Sequence, residues 1–184
     1  AISTEETRYY LNGVYLHVAD GDKGKILRAV ATDGHRLALA DSPAPTGSEA
    51  LEGVIVPRKA VGEVRRLIDS ADGDVSVSVS DTKIVFRAGR AILTSKLIDG
   101  AFPDYQRVIP KGNDKRLIID NKSFESAVDR VSTVSAERSR SVKLSLSDGK
   151  VVLAVNSAET GQGHEEIECD YTSDAMEIGF NAKY

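Results

Sequence analysis

The chain has 184 residues, room for one large or two small domains, and a hydrophobic share of 41% that is ordinary for a soluble globular protein. No apolar run approaches the roughly 20 residues that a membrane helix needs and nothing at the start reads as a signal peptide. The single cysteine, Cys169, leaves neither an intrachain disulfide nor a Cys-based zinc site, so a cytoplasmic protein is expected. A formal net charge of −4 argues against a protein that coats itself in nucleic acid, so affinity for phosphate has to come from local clusters.

Val14, Leu16 and Val18 alternate into Asp20-Gly21, and Lys25–Val30 follows, which predicts a β-hairpin. Thr32-Asp33-Gly34-His35-Arg36-Leu37 comes after that strand, and an Asp-Gly turn with a polar flank accounts for it. Asp41 to Glu52, with two Pro and one Gly, reads as a surface loop. Val54-Ile55-Val56 then leads through Pro57 into a helix ending near Asp69. At about 100° per residue Val61, Val64, Leu67 and Ile68 share one face of it. Lys59 and Arg66 lie opposite, flanked by Arg58 and Arg65, so four cations stand against Glu63 and Asp69 in the most basic element of the chain. A solvated polar face explains this as readily as a phosphate-facing one. Strands are expected at Val75–Val79, Ile84–Arg87 and Ala91–Leu97. Aromatic and proline residues crowd Asp99–Tyr105, where packing of Phe102 and Tyr105 suffices as a reason. Tyr105 to Lys115, with Pro110, Gly112, Asn113 and Asp114, reads as a linker. Ser123 to Ser135 reads as a second amphipathic helix with Phe124, Ala127, Val128 and Val131 inward.

The chain repeats itself. Val142, Leu144, Leu146, Asp148 and Gly149 reproduce Val14, Leu16, Val18, Asp20 and Gly21 128 residues later. Lys150–Val155 matches Lys25–Val30 at an offset of 125, as if the first turn carried three extra residues, Asp22-Lys23-Gly24. Upstream, Ile2-Ser3-Thr4 echoes Val131-Ser132-Thr133. A period this long marks a duplicated domain rather than a solenoid, whose repeats run roughly 20 to 50 residues. The pattern predicts an α+β fold of tandem domains built from antiparallel sheets with two helices each. Residues 1–104 form one domain, 105–114 a linker and 115–184 a second domain. The first copy opens on only the tail of its leading helix and the second stops where a helix is due, so an excised piece of a longer protein is expected.

Enzyme chemistry finds little purchase. His17, His35 and His164 have no metal-ligand spacing, and His17 and His164 read as structural or exposed, the latter in a Gly-rich loop. The glycines fit neither a P-loop nor a dinucleotide fingerprint, and no nucleophile elbow occurs, so no catalytic residue, metal or cofactor is expected. Two alternatives remain: a small hydrolase using His35 with Asp33 or Asp104, or a β-rich interaction module with no nucleic-acid role.

Four segments, in order and spacing, resemble one family: Arg8-Tyr9-Tyr10-Leu11-Asn12-Gly13, Ala31-Thr32-Asp33-Gly34-His35-Arg36-Leu37-Ala38, Val56-Pro57-Arg58-Lys59 and Phe102-Pro103-Asp104-Tyr105. They resemble the bacterial β sliding clamp, the processivity subunit of DNA polymerase III. The resemblance runs from the end of a helix in that family's middle domain to partway through its third, and it implies a non-enzymatic, DNA-encircling tether. Its partners would be duplex DNA, the catalytic subunit of DNA polymerase III, the clamp loader and other proteins with a clamp-binding motif, with a homodimeric ring in the full-length parent. By the same resemblance, Arg8, Tyr9, Tyr10, Arg58 and Lys59 would face DNA. Arg8, Leu11, Thr32, Gly34, His35, Arg36, Leu37, Pro103, Arg107 and Val108 would belong to a hydrophobic cleft for partner peptides between the second and third domains, completed by segments outside this chain. Thr133 and Val134 would lie at the subunit interface.

Overall fold

Alternation along Gly13–Gly21 and Gly24–Thr32 yields the two longest strands, β1 and β2, in the computed structural model, which describes residues 1–71, 73–135 and 140–184. The chain divides into two units, Ala1–Tyr105 and Gln106–Tyr184.

In the first unit, β3 (Leu37–Pro43) and β4 (Val54–Pro57) complete an antiparallel sheet in the order β3-β2-β1-β4. β3 takes in Asp41, Ser42 and Pro43, which the sequence assigned to a loop. Asp41 sits directly opposite Arg28 of β2 and is gripped by its guanidinium at 2.7 and 2.8 Å. Pro57, with φ of −58°, then starts α1 (Arg58–Asp69). Val61, Val64 and Leu67 pack toward Val56, Ala60, Ile84 and Phe86, whereas Ile68, on the same face by periodicity, stands 51% exposed in the last turn. The core partners come from a second sheet, β5 (Ser76–Val79), β6 (Lys83–Ala88) and β7 (Ala91–Lys96), in that order. The Ile98 N–H donates to the Ile55 carbonyl at 2.9 Å and ties the strand after β7 to β4.

In the second unit, α2 (Asn121–Ser132) precedes β8 (Ser141–Ser147), β9 (Lys150–Ser157), β10 (Gly161–Glu168) and β11 (Met176–Asn181). The helix begins two residues before the expected Ser123 because the Asp120 carboxylate caps it, accepting the Ser123 N–H at 2.8 Å. The sheet order, β10-β9-β8-β11, repeats the first sheet in topology: third, second, first, fourth. Register amends the sequence match. Leu16 faces Ala29 and Leu144 faces Leu153, so the second strands correspond at an offset of 124 rather than 125. Both hairpins close on two residues, after Gly21↔Gly24 and Ser147↔Lys150, so the extra length enters as whole rungs, an even number of residues. His164, expected in a loop, lies in β10 opposite Ala154. Its neighbouring glycine has a packing role: a Cβ at Gly163 would come within 3.0 Å of Val134 at the end of α2.

The core of this unit is Ala127, Val131, Val142, Leu144, Leu146, Val151, Leu153, Val155 and Tyr171. Val142 and Leu144 are 1% and 6% exposed. Their counterparts Val14 and Leu16 are half-buried and line an apolar recess of about 140 Å³ with Val56, Val61, Val64 and Phe86. Leu153 is fully buried, so Leu153→Ala should destabilise the second unit by about 2–5 kcal/mol in urea unfolding. A loss under about 1 kcal/mol would contradict this packing.

Candidate nucleic-acid and peptide surfaces

A 3-10 turn, Tyr9–Leu11, precedes β1, closed by the Leu11 N–H donating to the Arg8 carbonyl at 2.9 Å and the Asn12 N–H donating to the Tyr9 carbonyl at 3.0 Å. The Asn12 carbonyl in turn accepts the Arg58 N–H at 2.9 Å. This bond sets the turn that carries Tyr9 and Tyr10 against the first residues of α1. Arg58 and Lys59 are exposed there and form no ion pair among the described residues. The helix has no side-chain cap and no acidic residue in its first turn, so two cations sit at the positive end of its dipole. That placement costs roughly 0.3–1 kcal/mol per charge, and an anion at the same spot relieves it. Tyr9, 53% exposed, meets Tyr10 edge-on at 5.8 Å. Gly100 closes against the Tyr9 ring and the Tyr10 Cβ; a Cβ there would lie 3.1 Å from the latter.

Arg8 points elsewhere. Its Nε and Nη2 donate to the Glu5 carboxylate at 2.8 and 2.7 Å, and its Nη1 stands over Gly34, whose φ is +89° and where a Cβ would run into the guanidinium. The hydrogen bonds from Arg8 hold the Glu5 carboxyl below the usual carboxylate range. Around Gly34, Thr32 Oγ1 accepts the Gly34 N–H at 3.0 Å and donates to the Arg36 carbonyl at 2.8 Å. Asp33 Oδ1 accepts the His35 and Arg36 N–H groups, both at 3.0 Å, and Oδ2 accepts from Arg36 Nε at 3.1 Å. Burial works against ionisation of Asp33, but these backbone and guanidinium donors outweigh it and its pKa lies below the ordinary value. Arg8, Thr32, Gly34, His35, Arg36 and Leu37 are thus brought to one turn. Leu11 lies beneath the surface at 4% exposure.

The Phe102–Tyr105 segment is pinned to the same sheet by His17, read from the sequence as structural or exposed, and by Tyr15 and Arg28, which the sequence did not single out. Phe102 stacks on Tyr15 at 4.9 Å and 6°, Tyr15 stacks on His17 at 4.7 Å, and the Tyr105 hydroxyl meets His17 and Arg28. Period-2 alternation puts Tyr15 and His17 on the face of β1 opposite Leu16, a signal that could have flagged them. Nothing local links Arg28 to Tyr105. Pro103 is exposed on this segment, and Arg107 and Val108, the latter 69% exposed, follow in a 3-10 turn, Tyr105–Val108.

In the second unit Thr133 is exposed at the C-cap of α2 and Val134 is half-buried, its carbonyl accepting from Thr160 Oγ1 at 2.5 Å. A groove of about 400 Å³ between α2 and β10 contains Lys122, Arg130, Glu165 and Glu166. Within it Arg130 pairs with Glu165, and Glu166 pairs with Lys150 of β9.

The family profile described as the DNA polymerase III beta subunit, central domain, matches residues 1–104, and that of the C-terminal domain matches residues 106–184. The chain belongs to this family. It is 59% identical over 184 residues to a beta sliding clamp of Caulobacter vibrioides and 38% identical to that of Escherichia coli, covering 100% of this chain and 50% and 49% of theirs. A crystal structure of a DnaN sliding clamp from Bartonella birtlesii bound to griselimycin superimposes with a TM-score of 0.95 at 55% identity, over 100% of this chain and 50% of that one. The chain therefore spans about half the length of the clamps it matches.

The bonding of Asp33 leaves it poorly suited to the role of a base. A carboxylate held below its ordinary pKa and occupied by backbone donors, as Asp33 is, makes a weak general base. Because that pKa is lowered, the staple is complete above the ordinary Asp range near pH 4 and is lost as pH falls through the folded-state value. Asp33→Asn keeps an acceptor for the backbone but not for Arg36 Nε. It should therefore remove much of the acid-induced loss of amide protection, read against the intrinsic exchange rate, at His35 and Arg36 while costing about 1–2 kcal/mol at neutral pH. Identical acid profiles for the two proteins would contradict the staple.

Proposed function

We propose that this chain supplies the middle and third-domain surfaces of a non-catalytic DNA sliding clamp in the bacterial cytoplasm. Arg58, Lys59, Tyr9 and Tyr10, with Arg8 at the margin, contact duplex DNA. The Thr32–Leu37 turn, with Arg8, Leu11 and Pro103 and then Arg107 and Val108 along the chain, receives linear motifs of the polymerase catalytic subunit, the clamp loader and other partners. Thr133 and Val134 take part in pairing of subunits into a homodimeric ring.

The observation that carries the DNA reading is the Asn12–Arg58 hydrogen bond, which puts an exposed tyrosine turn beside two cations on a helix start that form no ion pair among the described residues. A sliding protein has to hold phosphates without reading bases, and cations on a rigid helix meet that need. The peptide reading is supported by the turn around Gly34, which its own hydrogen bonds hold in one shape with a half-buried Leu37 beside it. In a full-length clamp carrying these residues, Arg58→Ala with Lys59→Ala should weaken duplex binding equally for all sequences. It should also reduce the slope of log affinity against log salt by about 2. A loss confined to one DNA sequence, or an unchanged salt slope, would contradict the reading.

A further inference from the structure

Tyr105 closes the first unit and Gln106 opens the second. The Tyr105 ring is 5% exposed, and its hydroxyl is where two strands converge. His17 Nε2 on β1 lies 2.9 Å from it, and Arg28 on β2 donates to it from Nη1 at 3.3 Å. His17, Arg28 and Asp41 occupy one rung of the sheet: His17 is directly opposite Arg28, which is directly opposite Asp41. The protons can be placed so that every one of these contacts is satisfied. Arg28 only donates, so the Tyr105 oxygen accepts from it and sends its own hydrogen to His17 Nε2. In that arrangement the imidazole carries a hydrogen on Nδ1, which donates to the Val18 carbonyl at 3.1 Å. Arg28 is itself held by both oxygens of Asp41. Beside this chain of bonds the rings of Phe102, Tyr15, His17 and Tyr105 follow one another at 4.9, 4.7 and 5.8 Å.

Stacking alone is weakly directional and lets a ring slide in its plane, whereas a hydroxyl bonded to two paired strands is fixed in position. We propose that His17 and Arg28 are positioning residues for the peptide surface. Through the Tyr105 hydroxyl they fix the Phe102–Tyr105 segment to the sheet, and with it Pro103 and the point from which Arg107 and Val108 emerge. This rests on the peptide-binding reading above. Neither residue needs to touch the peptide.

The test is Tyr105→Phe in a full-length clamp carrying this chain, which keeps the ring and removes the hydroxyl. Fluorescence anisotropy with a labelled hexapeptide bearing one Leu and one Phe should report binding about tenfold weaker, the scale of a lost hydrogen bond to a charged group. Duplex affinity should be nearly unchanged, and the thermal midpoint should fall by a few degrees at most. His17→Phe should give a similar loss, and the double variant should lose no more than the worse single, because both changes break one network. The 15N shifts of the His17 imidazole should mark the Nδ1-protonated neutral ring and move in Tyr105→Phe. Peptide affinity unchanged in both single variants, or fully additive losses, would overturn the positioning role and leave the peptide site standing. No binding by the unsubstituted protein would overturn the peptide site and this role together.

Discussion

Strand β1 is the constraint on which the first unit depends. It pairs with β2 on one side and with β4 on the other, so it joins the hairpin to the strand that leads into α1. Its inward positions, Val14 and Leu16, face α1. Its outward positions, Tyr15 and His17, carry the aromatic row that pins Phe102–Tyr105. Its first residue, Gly13, is directly opposite Pro57, so α1 starts beside the tyrosine turn. A Cβ at Gly13 would run into the Val56 carbonyl, so this approach needs glycine. A slip of one residue in the β1–β4 register would exchange the two faces and dismantle both surfaces at once.

Charge is distributed with the same economy. Arg8, Arg28, Arg36, Arg66 and Arg130 each hold a carboxylate partner. Such exposed pairs contribute little to stability but fix side-chain direction, which is what the turn at Gly34 and the rung at Arg28 require. Among the described residues Arg58 and Lys59 have none, at a helix end where they are electrostatically uncomfortable. An acidic chain can therefore present a local phosphate-seeking surface while its net charge discourages indiscriminate coating of nucleic acid.

The duplicated hairpin, the two helices and the alternating strands were legible in the sequence because each rests on a period of 2 or about 3.6 within a short window. The register between copies was off by one, since residue similarity favoured pairing Val30 with Val155 while the ladder sets Ala31 there. The basic face of α1 was visible, but not that its first N–H would be capped by the Asn12 carbonyl from far upstream. The Thr32–Leu37 turn was readable from its Asp-Gly pair. Arg8 standing over Gly34, and the Arg28–Tyr105–His17 bonds spanning 77 and 88 residues, were not, because only the folded sheet brings those groups together.

The central claim is that one strand presents two distinct surfaces, one for phosphates at the start of α1 and one for peptides at the turn around Gly34. Amide chemical-shift mapping of a full-length clamp carrying this chain, titrated separately with a short duplex and with a Leu- and Phe-bearing peptide, tests it most directly. The account predicts that duplex shifts Tyr9, Tyr10, Arg58 and Lys59, that peptide shifts Gly34, His35, Leu37 and Tyr105, and that only Arg8 responds to both. Coincident shift patterns for the two ligands, or a duplex response centred on Gly34–Leu37 with none at Arg58 and Lys59, would contradict it.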